Sequence, residues 1–440
     1  MSSQADPLQS HEIQKMGFRE VLKIRDFRLL WLGQVISNFG DSLTGLAVLL
    51  LINRLTDGSA SAIAFGAIVQ AIPQLTFGLL AGVYVDRMDR KRIMIISDLL
   101  RGAMVLCFIL VSSQELLWLI YLITFIQAAI GVFFNPARTA YMALVVPKEG
   151  LLSANSLSQT SRIIAGVAGT AAAGGLIGAV DLYWPVFGID SLTFFISAVF
   201  ITRIVAKSRA KEAEVAKGTG VVFNQLKEGL KLISSSRLLS GTVVAMGITM
   251  LGLEAVNILL VPFVVNDLQI AETWFAALEG SQTLSMVLSG ALVATLASRF
   301  KPTNIVSMGL GLLGVSVGLI SMVTGVWGLM LVFFLVGWFL TPIQASLVTL
   351  IQTEVSDEVR GRASAALNTM SQTSNVTSMA VAGALADWIG VRQVFFLSGI
   401  ITLLAGLASA WVFRGYGEEE PSMVPIVEPA GNQLETSSNR

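Results

Sequence analysis

Apolar runs of about 20 residues recur along the chain, and about 20 residues is the length that carries an α-helix across a bilayer core of ~30 Å. Six fall near residues 28–52, 61–83, 93–112, 116–135, 155–179 and 184–204. Six more fall near 238–264, 273–297, 303–324, 326–344, 363–386 and 391–413. The pattern predicts an all-α integral membrane protein of twelve transmembrane helices in two six-helix halves. Its expected parts are a cytoplasmic N-terminal segment 1–27, a first half 28–205, a polar linker 206–237, a second half 238–413 and a tail 414–440.

The flanking segments carry weaker signals. Glu12 to Arg28 mixes apolar and basic positions, which suits a helix along the inner leaflet or a lead-in to the first span. In the linker, Phe223, Leu226, Leu230 and Ile233 have helical spacing beside Lys227 and Lys231, so an interfacial helix is expected there. The tail, with three consecutive glutamates and scattered Pro, Ser and Asn, reads as disordered. No short apolar segment precedes a small-residue cleavage site, so the first span reads as an uncleaved signal anchor.

The two halves are related. Asn155-Ser-Leu-Ser158-Gln159-Thr160-Ser161 recurs 213 positions later as Asn368-Thr-Met-Ser371-Gln372-Thr373-Ser374, and the same offset carries Arg28 to Gly241. Asn135-Pro136-Ala137 and Thr341-Pro342 close the fourth and tenth spans. Two pseudo-symmetric halves of this kind place a substrate path between them, near the bilayer midplane, opened alternately to each side.

Composition agrees with lipid as the solvent. The chain of 440 residues is 54% hydrophobic and 13% charged, about half the ~25% charge of a soluble chain. Mean hydropathy is +0.73. Lys plus Arg and Asp plus Glu are both 29, so no net charge draws a nucleic acid. The one cysteine, Cys107, and the one histidine, His11, supply neither a disulfide, a zinc site nor a catalytic triad. No catalytic residue, cofactor or metal is therefore expected. Gly309-Leu-Gly311-Leu-Leu-Gly314 and Gly314-Val-Ser316-Val-Gly318 mimic dinucleotide and nucleophile motifs, but both lie inside one apolar helix without the strand each requires. No Walker A pattern supplies nucleotide energy.

Basic residues set the expected orientation. With the N-terminus inside, 25 of the 29 fall in cytoplasmic segments; Arg54 and Arg392 fall outside, and Arg101 and Arg162 within spans. Both termini then face the cytoplasm.

Charges inside apolar spans are costly, at ~2.5–3.5 kcal/mol on insertion scales, and each one points to function. Asp41 and Glu254 lie at midplane depth in opposite halves, and Glu279 and Asp190 lie nearer the outside. Arg101 and Arg162 are candidate partners. These six residues are the expected sites of proton or substrate coupling, with Asp41 and Glu254 leading. A fixed pair is the competing reading, since Asp98 and Arg101 stand three apart on one helix face. Met246, Met250, Phe263, Trp274, Met286, Phe333, Phe334, Trp338, Phe339 and Met370 offer polarizable surface for a permissive pocket, or lipid-facing and packing surface.

Between the second and third spans the chain reads Gly82-Val-Tyr-Val-Asp86-Arg87-Met-Asp-Arg90-Lys91-Arg92. This loop resembles the signature of the major facilitator superfamily, with Gly82, Asp86, Arg87, Arg90 and Lys91 in register and Tyr84 and Asp89 departing from it. The resemblance implies a cytoplasmic gate in which Asp86 meets the helix N-terminus of span 11. Asn38-Phe-Gly-Asp41, Ser97-Asp98-Leu-Leu-Arg101, Phe134-Asn-Pro136-Ala137, Ala154-Asn155, Gly188-Ile-Asp190 with Thr193-Phe194, and Arg360-Gly361-Arg362 resemble the third branch of drug:proton antiporters, which includes macrolide efflux and enterobactin export proteins. Two features depart from antiporter patterns. Thr170-Ala171 replaces the Gly-Pro of the span 5 motif, and Thr124 replaces the span 4 arginine.

The resemblance implies proton-driven efflux of a small amphipathic molecule, such as a drug, a macrolide or a siderophore-like metabolite. It implies a monomer in the bacterial cytoplasmic (inner) membrane. Uptake or lysophospholipid movement on the same fold is the alternative, as is a channel or a non-transporting membrane sensor.

Overall fold

The computed structural model describes residues 16–206, Lys227, Lys231, Ser234, 237–354 and 357–414. The apolar face of the expected linker helix and the tail beyond Arg414 lie outside the described residues. A short helix α1 (Phe18–Lys23) precedes the first six long helices: α2 (Arg25–Leu55), α3 (Ala60–Arg87), α4 (Arg90–Leu106), α5 (Leu117–Val145), α6 (Leu151–Val180) and α7 (Trp184–Thr202). Six more follow: α8 (Arg237–Pro262), α9 (Phe275–Arg299), α10 (Pro302–Ile320), α11 (Val326–Glu354), α12 (Asp357–Ile389) and α13 (Val391–Val412). Among the described residues there is no strand. A lipid-spanning chain must satisfy its backbone polar groups within each segment, which helices do.

Ten of these helices are long and apolar enough to cross a membrane. The other two, α9 and α12, match them in length but carry more polar residues, such as Ser281, Gln282, Ser285 and Ser289 on α9. These positions face protein, with Ser285 and Ser289 fully buried. Ser281 and Ser289 donate to the carbonyls of Met330 and Trp338 on α11, at 2.9 and 2.7 Å.

In the first half α2 packs on α6 and α7, α3 on α5, and α4 on α5 and α7. In the second half α8 packs on α12 and α13, α9 on α11, and α10 on α11 and α13. The glycines that mimic enzyme motifs serve the last contact. A Cβ at Gly314 would meet the backbone of Leu403 and Gly399, so α10 and α13 approach backbone to backbone.

The halves meet through α3 on α12 and α6 on α9, two contacts that exchange under the internal repeat. Asp387, on the last turns of α12, accepts hydrogen bonds from the backbone N–H of Ala60 (2.7 Å) and Ser61 (3.1 Å) and from the Ser59 hydroxyl (3.1 Å). These groups open α3, so a carboxylate of one half caps a helix of the other. At the related place Gly174 of α6 lets the chain at Glu272, before α9, come into backbone contact. Both closures lie at the end of the bundle away from α1.

The lead-in segment at Met16 is tied to the opposite end. The Met16 amide donates to the Glu149 carbonyl (3.3 Å), and the Ser153 hydroxyl donates to the Met16 carbonyl (2.6 Å). The chain breaks helix at Ile24 before α2 begins.

Candidate transport site

A cavity of about 510 Å³ lies between the halves. The first half lines it with Asp41, Thr44 and Gly45 of α2, Gln70 and Gln74 of α3, Arg101 of α4, Gln127 and Asn135 of α5 and Asp190 of α7. Glu254 and Asn257 of α8 and Met379 of α12 close it from the second half. Its size falls within the range of roughly 300–1,000 Å³ typical of small-molecule sites.

The charged cluster on the first-half wall is built by three helices, α2, α4 and α7. The Arg101 Nη2 donates to Asp41 Oδ1 at 2.6 Å, and its guanidinium lies over the Phe194 ring, 4.4 Å from the centroid. Thr44, one turn beyond Asp41, donates its hydroxyl to Asp190 Oδ2 at 2.5 Å. The Thr193 hydroxyl lies 3.2 Å from the other Asp190 oxygen. Gly40 makes the cluster possible: a Cβ there would occupy the space of the Asp190 carboxylate and the Thr193 hydroxyl. The Asp41 side chain is 37% exposed and that of Arg101 16%, so the pair is reached from the cavity while its base is buried.

Asp98 is fully buried, and neither of its carboxylate oxygens has a hydrogen-bond partner. Proximity in sequence suggests that it pairs with Arg101, one turn along α4, but the ion pair of Arg101 is with Asp41 on α2. The guanidinium reaches across the helix interface because the carboxylate there faces the cavity.

Of the six expected coupling residues, Asp41, Arg101, Asp190 and Glu254 share the cavity wall. Glu279, on α9, and Arg162, on α6, are not among the residues lining it. Arg162 instead donates to Gln159 Oε1 at 3.0 Å, beside Arg138 and Gln34 in a separate pocket. None of the ten Met and aromatic residues offered as pocket surface lines the cavity; Phe263, for example, is wholly buried against Phe395. Phe108 and Met379 supply large apolar surface there, together with Ile52, Val48 and Leu49. Gln70, Gln74, Asn135 and Asn257 are not among the expected residues, and the signal that marks them is an amide inside an apolar run.

Of the gate residues, Gly82 and Asp86 lie on the last turns of α3, outside the described side chains. Arg87 ends α3 and Arg90 begins α4. Lys91 donates from Nζ to the carbonyls of Thr202 (2.9 Å) and Ile204 (2.7 Å). A cation placed on the last carbonyls of α7 caps that helix. Asp89, which departs from the signature, caps α4 by accepting from the Lys91 amide at 2.9 Å.

Repeated helical halves around a shared cavity define this protein as a membrane transporter of the major facilitator type. The chain belongs to the transmembrane secretion effector family of that superfamily, whose sequence profile matches residues 20–430. It is 28% identical over 386 residues to an uncharacterized MFS-type transporter of Bacillus subtilis, YfiS, covering 85% of this chain and 90% of the relative. It is 22% identical to macrolide efflux protein A of Streptococcus pyogenes, over 86% of this chain and 93% of the relative. A putative bacilysin exporter of Bacillus subtilis is 33% identical over 212 residues, 48% of this chain and 51% of the exporter. Among solved structures, the fold matches an inward-facing, unoccupied bacterial homologue of the human lysosomal transporter Spinster. The TM-score is 0.68 at 13% identity, over 89% of this chain and 97% of that one. A peptide transporter of the POT family matches with a TM-score of 0.68 at 10% identity, over 90% of this chain and 99% of that one.

Proposed function

We propose that the chain is a proton-coupled exporter of a small amphipathic molecule, working by alternating access as a monomer in the bacterial cytoplasmic membrane. The observation that carries this reading is the cluster on the cavity wall. One guanidinium, Arg101, stands among Asp41, Asp190 and Asp98, with Glu254 facing from the other half. A single positive charge does not neutralise these carboxylates in a low-dielectric interior, so protons are the natural counter-charge.

Coupling follows if substrate and proton compete for the same wall. In the state seen here Asp41 is held by Arg101. A substrate that draws Arg101 or Asp41 aside changes the charge each carboxylate faces, and with it the tendency to bind a proton. The mixed lining of amides, hydroxyls and aliphatic side chains suits an amphipathic molecule, and the efflux relatives make export the favoured direction. The halves 28–205 and 238–413 are the units that rock. The linker, both termini and the gate loop Gly82 to Lys91 lie on the cytoplasmic side. The latched end with Asp387 is then the outer one, and the state is closed to the outside. Nothing in this reading calls for enzymatic chemistry.

The test is proton flux in vesicles holding purified protein. An imposed pH gradient is followed from inside while macrolides and other amphipathic compounds are added. Substrate-dependent proton movement, lost in Asp41→Asn, is expected. Movement that persists in Asp41→Asn removes that residue from coupling, and substrate flux indifferent to the gradient refutes antiport.

A further inference from the structure

A second, smaller pocket of about 80 Å³ lies between the first third of α2, the last third of α5 and the first third of α6. That volume is several times what a single water needs, and suits one compact polar group rather than a whole drug. Its polar lining comes from Gln34, Arg138, Asn155, Ser158, Gln159 and Arg162, and among the described residues no carboxylate borders it.

Two buried donors of the pocket are unmet, while Asn155, Gln159 and Arg162 are exposed at its mouth. Gln34 is 8% exposed, yet its side-chain Nε2 has no hydrogen-bond partner, and the buried Nε of Arg138 has none either. Arg162 uses one nitrogen on Gln159, at 3.0 Å. Trp31, on the rim, has its indole N–H committed to Ser161 at 3.0 Å, which braces α2 against α6. Two guanidiniums that share one small pocket repel each other, and buried donors left empty are costly. An oxyanion relieves both, because guanidinium forks and amide N–H groups match its lone pairs.

We propose that this pocket is an oxyanion subsite, which holds a carboxylate or phosphoryl group of the transported molecule. Gln34 and Asp41 are seven residues apart on α2, two turns along one face. At the helical rise of ~1.5 Å per residue, that is a separation of roughly 10 Å along the axis. Asn135 in the central cavity and Arg138 here are likewise one turn apart on α5. The subsite thus adjoins the central cavity on the α1 side. The molecule it selects bears its anionic group about 10 Å, two helical turns, from the portion seated by Asp41. The inference rests on the transporter reading only for what delivers the anion.

The test is binding, which needs no proton gradient and so stands apart from the coupling reading. Full-length protein in phosphatidylcholine nanodiscs is titrated with inorganic phosphate and with benzoate at constant ionic strength, and thermal unfolding is followed. A saturable rise in Tm is expected with at least one probe. Its half-saturating concentration should rise at least tenfold in Arg138→Gln and in Arg162→Gln, and far less in Arg138→Lys and Arg162→Lys, which keep the charge. Discs with phosphatidylglycerol separate the sources: a soluble anionic substrate predicts an unchanged titration. A titration abolished there, with the lipid itself stabilising wild type but not Arg138→Gln, assigns the site to a lipid headgroup and overturns the substrate proposal. No saturable response to either probe, or equal responses in wild type and both glutamine variants, overturns the subsite altogether.

Discussion

Asn53 and Asn266 hold each other in a reciprocal amide pair, with Nδ2 of Asn53 3.0 Å from Oδ1 of Asn266 and Nδ2 of Asn266 3.2 Å from Oδ1 of Asn53. They are 213 positions apart, the offset of the internal repeat. Each is therefore the counterpart of the other, and the pair straddles the pseudo-two-fold relation between the halves. Their neighbours extend the relation with a change of sign. Arg54 pairs with Asp181 at 2.6 Å in the first half, and Asp267 pairs with Arg392 at 2.8 Å in the second. The same latch within each half is built with the charges exchanged.

The amide pair predicts a measurable gate. Asn53→Leu removes two hydrogen bonds across the halves, each worth about 0.5–1.5 kcal/mol net. The ratio of closed to open states at this end should fall roughly tenfold, since about 1.4 kcal/mol is a factor of ten. Spin-label distances between Asp57 and Ala271, both exposed near the pair, should lengthen or broaden. Asn266→Leu should do the same, and the double variant should do no more than either single one.

The ion pair on the cavity wall predicts non-additive stability. Asp41→Asn leaves Arg101 without its carboxylate, and Arg101→Gln leaves Asp41 without its guanidinium. A charged hydrogen bond of this kind is worth about 1.5–3 kcal/mol. Each single variant should lose about 2 kcal/mol of stability, and the double variant less than the sum, as thermal unfolding in one detergent would reveal. Additive losses would mean that the contact contributes little.

Two glycines on α2 should behave in opposite ways. A side chain at Gly40 overlaps Asp190 and Thr193, whereas Gly45 has open space and lines the cavity. Gly40→Val should cost about 1–3 kcal/mol by overpacking and separate α2 from α7. Gly45→Val should leave folding unchanged while altering which compounds are transported. Unfolding curves and transport of a substrate series separate the two effects.

A pH dependence is expected at the latched end. Glu272, just before α9, lines a pocket shared with Arg54, Asp181 and Tyr183. Burial, and then the nearby Asp181 carboxylate, push its acid above the ordinary glutamate value, while Arg54 opposes them. A carboxyl whose folded pKa is raised contributes stability below its unfolded pKa, and loses it as pH rises through the folded one. Unfolding of wild type compared with Glu272→Gln, whose amide stands for the neutral acid, should therefore match at low pH and show a wild-type deficit that opens as pH rises above the ordinary glutamate range. A wild type that gains on the variant as pH rises would contradict the sign.

The site is only partly legible in the residues. Asp41, Asp190, Arg101 and Glu254 stand out because a charge in an apolar run is rare and costly. The partner of Arg101 does not, since Asp98 is three positions away and Asp41 is 60. Helical spacing names neighbours on one helix, and gives no weight to a carboxylate on the next helix that faces a cavity. Arg162 satisfies the same depth argument as Arg101, yet it lies with Arg138 beyond the central cavity. Depth along the bilayer is readable from sequence, but rotation about the helix axis is set by packing.

The helices, their order, the repeat and the family can all be read from the residues alone. A bilayer demands apolar segments of a certain length, and two homologous halves keep a constant offset between corresponding positions. Packing between helices settles which charges meet, which glycines let helices touch, and that Asn53 and Asn266 lie opposite each other. Those choices depend on distances of a few ångströms between segments far apart in the chain. Such distances arise only when side chains on different helices compete for the same space and the same hydrogen-bond partners.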